Sequence, residues 1–83
     1  MKLYTFVYVV RTNDLDIVNI LSKFFSTRVK ITILGGGLAN VSLTRESIDP
    51  YTDQKKIENL LEGIGLDITL KGIQHKGQTI SIN

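Results

Sequence analysis

The sequence predicts an α+β sandwich with elements in the order β-α-β-β-α-β, on three patterns. Runs of β-branched and aromatic residues open and close the chain as strands do. Two stretches carry apolar residues at spacings of three and four, the period of an amphipathic helix. Between them, two alternating runs flank the triplet Gly35-Gly36-Gly37, which reads as a β-hairpin.

Each element has a local reason. Residues 2–10 are nearly all apolar, β-branched or aromatic and form the first strand. Asn13 suits a helix N-cap, and Asp14 and Asp16 suit the positive end of the helix dipole. Leu15, Ile17, Val18, Leu21, Phe24 and Phe25 then make one apolar stripe, predicting a helix from about 14 to 26. From Arg28 to Leu34, Val29, Ile31 and Ile33 alternate with Arg28, Lys30 and Thr32. After the glycines, Ala39, Val41 and Leu43 alternate with Asn40, Ser42 and Thr44.

Pro50 stands where a second helix begins, with Thr52 or Asp53 as its cap. Ile57, Leu60, Leu61 and Ile64 form its stripe, and Gly63 or Gly65 stops it. Leu66 to Leu70 reads as a short extra strand before the last. Gly72 and Gly77 mark turns, and Gln78 to Asn83 reads as the last strand. Together these elements predict a ferredoxin-like split βαβ sandwich, a four-stranded antiparallel sheet with both helices on one face.

Composition bounds the function. At 83 residues the chain (1–83) is expected to be a single domain, burying about 60–65% of the surface its unfolded chain exposes. There is no cysteine, hence no disulfide framework, and the composition is compatible with a cytoplasmic protein. The apolar start of the chain stops at Arg11 without a small-residue cleavage site, so a first strand is expected there rather than a signal peptide. No apolar run approaches the roughly 18–20 residues of a membrane span, and no membrane association is expected. A net charge of +2 is too small to indicate a polyanionic partner by its size.

The placement of charge and aromatics says more. Acidic residues gather in or beside the helices, whereas Lys2, Arg11, Arg28, Lys30, Arg45, Lys71 and Lys76 fall in or beside strands and turns. If odd positions of every strand face the helices, Tyr4, Phe6 and Tyr8 lie on the open face beside Lys30, Asn40 and Ser42. Such a row reads as a stacking platform for unpaired bases, ringed by Lys2, Arg28, Lys30 and Arg45. The other reading is that the rings fill the core or are covered by another protein chain.

Several segments resemble the RNA recognition motif. Val7-Tyr8-Val9-Val10-Arg11-Thr12 is similar to that family's first-strand motif, and residues 14–25 look like its first helix. Gly37-Leu38-Ala39-Asn40-Val41-Ser42-Leu43 stands where its third-strand motif lies, and Lys76 to Asn83 is similar to its last strand. The resemblance implies the same fold and single-stranded RNA binding, with Tyr8 in a stacking position. The third-strand motif is degenerate, because Leu38 and Asn40 occupy the places of its two aromatics. The element order also resembles the ACT regulatory domain, but the glycine expected after the first strand is absent from Arg11-Thr12-Asn13-Asp14.

No catalytic constellation is legible. His75 is the only histidine, so neither a histidine metal cluster nor a Cys/His pair can be assembled. Gly35-Gly36-Gly37 lacks the lysine and hydroxyl residue of a phosphate-binding loop. No enzyme activity, metal or cofactor is therefore expected. Two functions follow. One is a small binding module for single-stranded RNA through Tyr4, Phe6, Tyr8, Lys2, Arg28, Lys30, Asn40 and Arg45. The other is a protein-interaction module, an inhibitor or adaptor of the kind viruses (phage included) and bacteria encode. It would dock a partner or a second copy through the sheet face or a strand edge.

Overall fold

The structure, a computed structural model, describes residues 2–12 and 28–81. They form five strands and one helix: β1 (Lys2–Arg11), β2 (Arg28–Gly35), β3 (Leu38–Ser47), α1 (Pro50–Gly63), β4 (Asp67–His75) and β5 (Gln78–Ser81). All five strands join one antiparallel sheet in the order β2-β3-β1-β4-β5. The four-stranded, two-helix arrangement expected from the sequence is therefore overturned. The sheet has a fifth strand, and α1 is the single helix among the described residues. The helix expected over 14–26, its Asn13 cap and the last two residues of the closing strand lie outside the described residues.

The main revision falls on the C-terminal third. Leu66 to Leu70 does not form a short extra strand followed by a turn at Gly72. Instead β4 runs for nine residues and pairs along the central strand β1. It passes Gly72 through a bulge, in which Val7 stands opposite Gly72 and Tyr8 opposite Leu70. Lys71 is the additional residue and points to solvent. The turn comes later, at Lys76-Gly77, where φ is 53° and 79°. Positive φ at both central residues is the twist a two-residue hairpin needs. The strand after it, β5, is a four-residue strand at the sheet edge.

Direct pairing sets three apolar rows across one face of the sheet. Val29, Leu43, Phe6 and Ile73 form the first row, and Ile31, Val41, Tyr8 and Leu70 the second. Ile33, Ala39, Val10 and Ile68 form the third. Ile57 and Leu61 of α1 join the buried members of these rows in one core. The helix begins at Pro50, where the sequence placed its start, but its N-cap is Asp49 rather than the expected Thr52 or Asp53. The Asp49 carboxylate accepts the backbone N–H groups of Tyr51 (3.2 Å) and Thr52 (3.4 Å), and Pro50 occupies the first turn. It stops in a Schellman arrangement, with Gly65 N–H donating to Glu62 and Leu66 N–H to Leu61. No helix among the described residues is long and apolar enough to cross a membrane.

Candidate interaction surface

Register decides which side chains reach the surface. The paired positions of β1 and β3 add to an odd number, so even residues of β1 share a face with odd residues of β3. The expectation that odd positions everywhere face the helical layer is thus reversed for β1. Phe6 and Tyr8 are fully buried, Phe6 opposite Leu43 and Tyr8 opposite Val41. Their rings supply the largest side chains of the core, which is where the most apolar area gains most from leaving water. They do not form an exposed platform.

Tyr4 lies on the same face as Phe6 but near the end of β1. It is half-buried against the core and packs on the His75 ring, with centroids 5.0 Å apart and planes at 33°. His75 Nδ1 lies 2.9 Å from the Leu3 carbonyl oxygen, which ties the end of β4 to the start of β1. Arg45 stands opposite Tyr4, and Lys2 opposite Ser47. Arg45 lines an open groove of about 460 Å³ with Glu46, Asp49, Asp53 and Lys56 at the start of α1. Three acids against two bases give this groove no attraction for a polyanion. Ser47 closes it inward by donating its hydroxyl hydrogen to the Asp53 carboxylate.

On the face turned away from α1 stand Arg28, Lys30 and Thr32 of β2 with Asn40, Ser42 and Thr44 of β3. Thr5, Val7 and Val9 of β1 continue the same rows. The Thr5 and Thr44 hydroxyls are hydrogen-bonded at 2.9 Å. Arg11 reaches Asp67 at 4.0 Å, both largely in water, where such a pair contributes little. The eight residues proposed from sequence therefore divide three ways. Phe6 and Tyr8 lie in the core, Lys2, Tyr4 and Arg45 sit at one end of the α1 face, and Arg28, Lys30 and Asn40 share the opposite face. The base-stacking surface drawn from them is not assembled.

The feature that single residues did not reveal is an edge. β2 is hydrogen-bonded to β3, and among the described residues no strand pairs with its other side. Its outer end carries exposed apolar area, with Ile33 65% and Leu34 51% accessible. An open edge presents a row of backbone donors and acceptors ready for another strand. The signal was present in the sequence as a proline-free, β-branched run between Arg28 and Leu34. It became an edge only through the sheet order. By contrast, β5 offers four residues at the opposite edge.

Among the described residues the buried Tyr8 hydroxyl has no hydrogen-bond partner, and burial, then the nearby Glu58 charge, pushes its ionisation well above the ordinary phenol range. Among the described residues no three His, Asp or Glu side chains gather as metal ligands would. No known protein family, curated protein or solved structure matches the chain.

Proposed function

We propose that this chain is a non-catalytic protein-interaction module that takes up an extended strand of another polypeptide along the open edge of β2. The observation that carries this reading is the combination of an eight-residue strand whose outer side pairs with no strand among the described residues and exposed Ile33 and Leu34 at its end. Strand addition of this kind draws affinity from backbone hydrogen bonds and specificity from alternate side chains. Here the alternate side chains are Val29, Ile31 and Ile33 toward the core side, and Arg28, Lys30 and Thr32 toward the other. A strand with apolar residues on one face, and acidic or uncharged residues opposite Arg28 and Lys30 on the other, would match both.

Backbone amide hydrogen exchange of the full chain tests the reading. The probe is a synthetic peptide alternating valine with glutamate, and a single-stranded RNA oligonucleotide at low salt is the comparison. The expected result is slowed exchange at alternate residues of β2 with the peptide and no RNA binding. RNA binding that weakens steeply with salt, without β2 protection by the peptide, would overturn the assignment in favour of nucleic acid.

A further inference from the structure

Resting on β2 as the docking edge, we propose that the strand it takes up is β2 of a second copy of the chain. The two strands run antiparallel across a twofold axis at Ile31. The pairing is isologous, and the two five-stranded sheets continue through it as one.

Register selects this arrangement. In a twofold antiparallel pair, directly opposed residues share a face, so the axis must pass through a residue rather than between two. The regular ladder of β2 against β3 covers Arg28 to Ile33, before the irregularity that precedes Gly35. Two axes keep most of that ladder paired. An axis at Lys30 sets the two Lys30 ammonium groups directly opposite each other, which is destabilising. An axis at Ile31 sets Ile31 against its own copy and Ile33 against Val29, extending the apolar rows of the core side. On the other face it sets Lys30 against Thr32. No like charges are then directly opposed, and the exposed apolar area of Ile33 is covered by Val29 of the copy.

The two Lys30 side chains remain diagonal neighbours across the axis. Salt that screens them is expected to strengthen the pair, the reverse of its effect on a nucleic-acid complex. One pair of strands is a small interface, so the dimer is expected to be concentration-dependent.

Sedimentation equilibrium of the full chain, from micromolar concentration to about 1 mM, tests the proposal alongside two variants at the exposed Thr32. Each substitution places two new charges opposite Lys30 by symmetry. Thr32→Glu is expected to tighten the dimer and Thr32→Lys to weaken it, each by a factor between about 2 and 30. Opposite effects from one surface position are not produced by a folding defect, which circular dichroism checks independently. A chain that stays monomeric throughout, with Thr32→Glu also monomeric, overturns the proposal. So does a dimer that neither variant alters. In either case protection of β2 by the valine-glutamate peptide leaves the edge reading standing, and its absence removes both.

Discussion

Tyr8 stands directly opposite Val41, and both are fully buried. The ring is thereby held in the core with Ile57 and Leu61 of α1, while its hydroxyl meets no hydrogen-bond partner among the described residues. An unsatisfied buried hydroxyl costs stability, whereas the ring around it contributes apolar burial. Tyr8→Phe is therefore expected to stabilise the fold by about 1 kcal/mol, and Tyr8→Ala to destabilise it by about 3–5 kcal/mol. Urea denaturation measures both. A loss of stability in Tyr8→Phe would mean that the hydroxyl has a partner.

The same side chain sets an alkaline limit. Its folded-state ionisation lies above the ordinary phenol value of about 10, because burial, and then the Glu58 charge, disfavour the phenolate. Protons are then bound more tightly in the folded chain, so the stabilisation is complete below pH 10 and is lost as pH rises above it. Ultraviolet titration should show Tyr8 ionising only together with unfolding, and Tyr8→Phe should extend the stable range upward.

An acid limit is expected at the start of α1. The Thr52 hydroxyl, then the Thr52 backbone N–H, hold the Asp49 carboxyl below its ordinary range, with a smaller contribution from the Tyr51 N–H. A lowered folded-state value means that the cap contributes above the unfolded value near 4 and fades as pH falls through the folded one. The melting temperature should decline below about pH 4, and Asp49→Ala should lower it at neutral pH while flattening that decline. An unchanged acid profile in the variant would remove Asp49 from this role.

Two glycines two residues apart should respond in opposite directions. Gly63 ends α1, Gly65 has φ of 87°, and a methyl group at either position meets nothing within 4 Å. With space equal, only backbone conformation differs. Gly63→Ala is expected to stabilise by about 0.5–1 kcal/mol. Gly65→Ala should destabilise by about 1 kcal/mol, because it forces a side chain into the left-handed region. Equal signs in thermal denaturation would contradict the Schellman ending.

Lys76 occupies the left-handed region at φ 53° in the β4–β5 turn, directly before Gly77. Asparagine tolerates that region better and forms the favoured Asn-Gly pair. Lys76→Asn is expected to add about 0.5–1 kcal/mol, with the gain in amide protection confined to β4 and β5. A gain spread over β2 would point to a different cause.

Local chemistry made much of the secondary structure legible: the β-branched run of β1, the alternation of β2 and β3 around three glycines, and the stripe containing Ile57 and Leu61. These depend on neighbours a few residues apart. The extent of β4 was not legible, because Gly72 reads as a turn until β1 supplies the partner against which it becomes part of a bulge. The face of β1 was not legible either. Alternation states that Tyr4, Phe6 and Tyr8 share a side, but only the register with Val41 and Leu43 states which side that is. One residue of slip would exchange core for surface, and that choice is made by the summed burial of whole rows. So too the sequence alone determined that β2 was a good strand, while the sheet order made it an edge.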